Sequence, residues 1–323
     1  MNMYDAIKNF SEQFLFNPEI KNKEKFSTYR WYIVAGMGGS HLAADLLKIW
    51  KADISLIVHK NYGLPKVPPE ILKNCLIILS SYSGNTEEVL DVYQQARKKN
   101  IPLAAISVGG DLLKRAQADG IPYIQLPDTG IQPRLSLGFF IKALLALIKK
   151  DKALSEVSAL SKTLLPEELE KNGQELAEKM HHLIPVIYSS EANGAIAYNW
   201  KIKFNETGKI PAFCNVLPEL NHNEMTGFDV KETTKNLSQK FYFILLKDKT
   251  DHPRIQKRME ILKKLYEDRK LPVIEIQLNG KNVLDKIFRS LILADWTSYH
   301  TAKLYNVEPE AVPMVEEFKK LIK

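Results

Sequence analysis

The stretch SSYSGNTEEVL, residues 80–90, follows directly on the apolar run CLIIL (75–79) and leads into a segment where Val89, Val92, Tyr93 and Ala96 share one helical stripe. A short continuous apolar run, a joint rich in hydroxyls and glycine, and then a helix are the sequence form of a buried parallel strand and its βα loop. The joint carries Ser81, Ser83 and Thr86 around the Gly84–Asn85 pair. It supports two readings. In one, Asn85 and Glu88 cap the helix that follows. In the other, hydroxyls and first-turn amides converge on one small volume at the positive end of the helix. An anion there gains roughly 0.3–1 kcal/mol from the dipole before any hydroxyl bond is counted. A phosphate monoester fits this second arrangement without a basic side chain.

The same alternation runs outward in both directions. WYIVA (31–35), ISLIV (54–58), PLAAIS (102–107) and PYIQL (122–126) read as strands, and LSLGFFIKALLALIKK (135–150) as a buried helix. After a charged helical bridge over 151–180 the pattern restarts with strands at IPVIYSS (184–190), AFCNV (212–216), FYFILL (241–246) and LPVIEIQL (271–278). Helices are expected over 194–206 and 254–269, around 286–305, and at the C-terminal end over 313–323. The expected fold is α/β: two doubly wound subdomains, 1–150 and 151–323, each a mainly parallel sheet flanked by helices. No residue-level repeat relates them.

Composition narrows the function classes. With 323 residues, 45% hydrophobic and 26% charged, the chain can bury large cores and is not a disordered segment. The net charge of +7 comes from lysines scattered among acids and apolar positions, without an aromatic-rich basic motif, so no nucleic-acid partner is expected. No secretory signal is recognised and no run approaches the roughly 20 apolar residues of a membrane span. A cytoplasmic protein with no membrane partner is the expectation, and Cys75 and Cys214, each in or beside an apolar run, suit buried thiols.

A second glycine joint, GMGGS (36–40), follows WYIVA. Gly36, Gly38 and Gly39 permit close backbone approach, and Ser40 can donate beside a helix start. It is not a dinucleotide fingerprint, because His41 stands where the third glycine belongs, and no Lys-Ser/Thr follows to make a Walker loop.

Together these motifs carry a resemblance. SSYSGNTEE is similar to the S-x-S-G-x-T-x-E signature of sugar isomerase (SIS) domains, and GMGGS resembles the companion loop of the bifunctional phosphoglucose/phosphomannose isomerase branch. FNETGK (204–209), LPELNHNE (217–224) and DWTSYHTAKLYNVEP (295–309) follow in that branch's order and spacing. Where the family has N-E-N-A-K, this chain keeps the acid but has Thr207 and Gly208 after it. The resemblance implies a metal-independent and cofactor-free aldose–ketose isomerase acting on hexose 6-phosphates. Gly38, Gly39, Ser40, Ser81, Ser83 and Thr86 would bind substrate. Glu206 would be the base that moves a proton between C2 and C1, Arg134 would steady the enediolate, and His222 with Lys303 would open the sugar ring. Thr297 and Thr301 are candidates for the part of the pocket where C2–C3 rotates, or are simple helix-face threonines. Family members are homodimers whose sites borrow a histidine across the interface, the expectation for His222 here.

Three competing readings are open at this stage. A metal-dependent mannose phosphate isomerase could use His181, His182 and NHNE, but adjacent histidines diverge on a helix and no H-x-H partner motif accompanies them. A sugar-phosphate-binding SIS regulator would have no need of Glu206, His222 and Lys303 together. An aminosugar phosphate isomerase would share the phosphate loop and differ in its catalytic groups.

Overall fold

The computed structural model describes residues 1–322. In it each apolar run of the first half becomes one strand of a parallel sheet: β1 (Trp31–Gly36), β2 (Leu56–His59), β3 (Cys75–Ser80), β4 (Leu103–Ser107) and β5 (Tyr123–Gln125). Their order is β2-β1-β3-β4-β5, with every neighbour parallel. Helices cover both faces, which is why β3 is buried at all six of its residues and shows no polar alternation. The chain leaves β1 on one side for β2 and returns on the other side for β3. The direction of winding therefore reverses between β1 and β3, and the carboxyl ends of strands at such a point are where open α/β sheets bind their ligands.

The second half repeats the plan with β6 (Ile184–Ser190), β7 (Phe213–Leu217), β8 (Phe241–Lys247) and β9 (Val273–Gln277), ordered β7-β6-β8-β9 and again all parallel. The expected α/β class with two mainly parallel, helix-flanked sheets is what the chain adopts.

By internal contacts the chain divides into one unit of residues 8–164 together with Met1, and a second of residues 2–7 and 165–323. Residues 151–164, grouped above with the second half, thus lie with the first. Their charged surface reads as a bridge, yet Ala153, Val157, Leu160 and Leu164 are buried, and Lys142 donates to Ser158 Oγ at 2.8 Å. The N-terminal residues 2–7 join the second unit through Tyr4, whose hydroxyl donates to Glu170 at 3.1 Å.

Within the second unit the helix Gly194–Glu206 packs on the long helix Val283–Leu304. Between them Lys203 meets Asp295 at 2.5 Å, each 1% exposed. Gly173 explains the one glycine of the 170–179 helix: a Cβ there would stand 2.5 Å from Trp296 Cβ. Burying an ion pair is costly, and removing one partner is costlier still. Lys203→Met should therefore lower unfolding free energy by about 3–5 kcal/mol, read as a lower denaturant midpoint at unchanged slope. A loss under about 1 kcal/mol, the scale of an exposed pair, would contradict that. No helix among the described residues is long and apolar enough to cross a membrane.

Candidate active site

In the first unit three strand-to-helix loops are stitched into one surface. Ser80 Oγ donates to the Ser40 carbonyl at 2.6 Å, and Tyr82 N donates to Ser40 Oγ at 2.9 Å, tying the loop after β1 to the loop after β3. Gly36 permits this approach, since a Cβ there would lie 2.9 Å from the Ser80 carbonyl oxygen. The third loop, Ser107–Val108–Gly109–Gly110 after β4, was not singled out from sequence. Val108 N donates to the Tyr82 carbonyl at 3.1 Å and Leu112 N to the Gly84 carbonyl at 2.9 Å. The available signal was there: a double glycine at a strand-to-helix joint, in the same position along the pattern as the other two.

Asn85 has a different task from the cap anticipated for its own helix. Its Oδ1 accepts from Asp111 N at 3.0 Å, in the first turn of the next helix, Gly110–Ala118. The helix Glu87–Lys98 has Thr86 at its N-cap and no side chain closing it. The first-turn N–H groups of Glu87, Glu88 and Val89 thus open ahead of the helix, where its dipole favours an anion.

The sequence-predicted ligands divide between rim and scaffold. Gly38, with φ +50° and open space around it, is exposed, as is Ser83; Thr86 is half-buried. Gly39, Ser40 and Ser81 are buried. Ser81 Oγ accepts from Gly84 N at 3.0 Å and shares a 2.8 Å hydrogen bond with Thr86 Oγ1, so it shapes the loop from within. Gly39 lies against the backbone of Pro133 and Arg134, where a Cβ would come to 2.5 Å. That contact brings the Pro133–Leu135 turn, and with it the 1%-exposed Arg134, beside the GMGGS loop. His41, in the place of a third dinucleotide glycine, is buried and pairs its Nδ1 with Asp45 Oδ2 at 2.8 Å.

In the second unit Glu206 is the last residue of the helix Gly194–Glu206 and is half-buried. Its surroundings account for the altered residues after it. Thr207 N and Gly208 N both donate to the Lys203 carbonyl, at 2.9 and 3.1 Å, and a Cβ on Gly208 would lie 2.9 Å from the Phe204 carbonyl oxygen. Lys209, with φ +55°, folds its ammonium back onto the carbonyls of Glu206 and Ala311. The helix end is closed tightly, and the Glu206 side chain is carried on a fixed backbone.

Lys303 is exposed in the last turn of its helix and lines a cavity of about 410 Å³ with Tyr4, Tyr299, Asn306 and Glu310. His222 is exposed at the end of the short turn Glu219–His222, and among the described residues those lining the Lys303 cavity do not include it. Thr297 and Thr301 are buried, with hydroxyls donating to the Leu293 and Thr297 carbonyls of their own helix at 2.7 and 2.8 Å. His181 and His182 depart from the divergence expected of helical neighbours. They lie in a turn, His182 at φ +66°, with rings stacked 3.8 Å apart. No cluster of three or more His, Cys, Asp or Glu side chains suited to a metal occurs among the described residues.

Comparisons with known proteins bear on both halves. The family model of the bacterial phospho-glucose isomerase C-terminal SIS domain matches residues 169–322. A bifunctional phosphoglucose/phosphomannose isomerase from Aquifex aeolicus is 33% identical over 325 residues, covering 99% of this chain and 98% of its own. One from Caldicellulosiruptor bescii is 34% identical over 340 residues, covering 98% of each. Among solved structures, glucosamine-6-phosphate deaminase from Thermotoga maritima superposes with a TM-score of 0.69 over 95% of each chain at 14% identity, a likeness of fold alone.

Proposed function

Since the chain belongs to the bifunctional phosphoglucose/phosphomannose isomerase family, we propose that it interconverts glucose 6-phosphate and mannose 6-phosphate with fructose 6-phosphate, without a metal, through an enediol. The observation that carries this reading is the joined set of loops after β1, β3 and β4, which offers amides, hydroxyls and an uncapped helix start to a dianion.

The phosphate rests on the open amides, with Gly38, Ser83 and Thr86 at the rim and Ser40 and Ser81 holding the loops in shape. Hexose phosphates are mostly cyclic, so one of His222 and Lys303 protonates the ring oxygen while the other takes the proton of the anomeric hydroxyl. The Glu206 carboxylate removes the C2 proton, electrons of the C–H bond form the C1–C2 double bond, and the carbonyl oxygen becomes the enediolate oxygen. Arg134 stabilises that charge, which exists only along the reaction path. A proton passes from the C2 hydroxyl to the C1 oxygen. The electrons left on the C2 oxygen form the new carbonyl as the C1–C2 double bond takes up the proton from Glu206 at C1, and the product is the ketose. Glucose and mannose 6-phosphates differ only at C2, and the planar enediol has lost that difference. One site therefore serves both if rotation about C2–C3 presents either face. A homodimer, cytoplasmic and supplying His222 across its interface, completes the proposal.

A coupled assay of fructose 6-phosphate formation from each aldose, with chelator present, tests it. Turnover of both substrates, unchanged by chelation, is expected; activity that vanishes with chelator and returns with a divalent cation would contradict the metal-free mechanism.

A further inference from the structure

The exposed His222 sits on a short loop, and loops of this kind move unless something fastens them. Here the segment leaves β7 after Leu217, drops Leu220 into the core, carries His222 outward, and is drawn back to the sheet two residues later by Glu224. Tyr188 Oη donates to Glu224 Oε1 at 2.5 Å, and Asn215 Nδ2 donates to Oε2 at 2.5 Å. Tyr188 and Asn215 are register partners on the adjacent strands β6 and β7, so one carboxylate bridges two neighbouring strands. The carboxylate's backbone end is also held, because Glu224 N donates to Asn223 Oδ1 at 2.5 Å. Burial, and then the neighbouring Tyr266 and Glu224, raise the Tyr188 pKa far above the ordinary range, so its phenol stays protonated as a donor. Hydrogen bonds to an ionised carboxylate are among the stronger ones.

We propose that Glu224 is a positioning residue for His222: its carboxylate, clamped between Tyr188 and Asn215, fixes where the imidazole stands during ring opening. The inference rests on the reading of His222 as a ring-opening residue. It names a function for the final acid of NHNE, which the reaction itself does not use. Whichever protomer's substrate His222 serves, the clamp lies within the chain that supplies it.

The test uses the full-length enzyme and two readouts, catalysed anomerisation of glucose 6-phosphate followed by NMR exchange, and affinity for a 6-phosphohexitol. Ring opening is sufficient for anomerisation, so Glu206 is not needed for it. A displaced catalytic group typically costs on the order of 10²-fold, and Glu224→Ala should lower anomerisation and isomerisation together by about that factor, with hexitol affinity within about twofold. Glu224→Gln, nearly isosteric, carries the same test where the alanine variant does not fold. The double exchange Asn215→Asp with Glu224→Gln restores a donor facing a carboxylate and should recover most of the anomerisation lost in Glu224→Gln. A structural role would lower stability without this recovery. Anomerisation within threefold of wild type in Glu224→Ala, or no recovery in the double exchange, overturns the proposal. His222→Ala separates the two levels: retained anomerisation there removes the ring-opening reading and this inference with it. Its loss in His222→Ala but not in either Glu224 variant removes this inference alone.

Discussion

Glu206→Gln should abolish isomerisation in both directions, lowering kcat by about 10³- to 10⁴-fold, the upper range for loss of a general base. Catalysed anomerisation of glucose 6-phosphate and affinity for 6-phosphohexitols should stay near wild type. The expectation follows from what the substitution leaves alone. The residue ends the helix Gly194–Glu206, and the bonds that close this end run through backbone: the Lys203 carbonyl accepts from Thr207 N and Gly208 N, and the Glu206 carbonyl accepts from Lys209 Nζ. Exchanging carboxylate for amide changes none of these. What disappears is the capacity to accept a proton from carbon, because an amide oxygen is too weak a base. The decisive comparison is between turnover in the coupled assay and calorimetric affinity for the hexitol phosphate. Parallel losses in both would mean that Glu206 holds the substrate or the fold and is not the base.

The second large effect is expected at the phosphate seat. Gly84 has φ +72°, and a Cβ there would fall 1.8 Å from the Gly109 carbonyl oxygen and 2.8 Å from Ser107 Oγ. Gly110, at φ +70°, faces back, its imagined Cβ 2.2 Å from the Ser83 carbonyl oxygen. The two glycines are therefore a backbone-on-backbone contact with no room for a methyl on either side. Gly84→Ala carries a left-handed penalty of order 1 kcal/mol and must also push the loops apart. That motion strains the hydrogen bonds Leu112 N to the Gly84 carbonyl and Asp111 N to Asn85 Oδ1. A loss of more than about 2 kcal/mol in stability is expected, together with a rise of at least about tenfold in KM and in the inhibition constant of inorganic phosphate. Ser83→Ala, which removes one exposed hydroxyl and leaves the backbone, should raise KM by about the tenfold or less that one hydrogen bond is worth. Wild-type phosphate inhibition in a folded Gly84→Ala enzyme would place the phosphate elsewhere.

How much of this was legible beforehand depends on whether a feature is local. β3 and β1 announce themselves because a strand covered on both faces is an unbroken apolar run ended by glycine or serine. β2 is less plain: the run 54–58 gives way to Leu56–His59, because Ile54 is buried in the preceding turn and His59 extends the ladder beside Ala35. Glu206, His222 and Arg134 could be named only through resemblance, since a lone acid, imidazole or guanidinium has no pattern of its own. The remaining features are tertiary. Asn85 looks like a cap for its own helix until the 107–110 loop is placed beside it, and the pairing of Gly84 with Gly110 joins two joints 26 residues apart. Tyr188 and Asn215 read as one buried aromatic and one polar interruption of a strand. Only their register partnership on β6 and β7 makes them a receptor for Glu224.

The proposed reaction needs one substrate molecule whose phosphate rests on the Gly38–Ser40 and Ser81–Thr86 segments while a Glu206 carboxylate acts at its C1–C2 end. A crystal structure of the enzyme with a 6-phosphohexitol tests this directly. The predicted result is a phosphate within hydrogen-bond reach of the Gly38–Ser40 and Ser81–Thr86 segments, and a Glu206 carboxylate, from either protomer, about 3 Å from the C1–C2 end. A well-defined hexitol whose phosphate sits outside those loops, or whose C1–C2 end meets no Glu206, would contradict it.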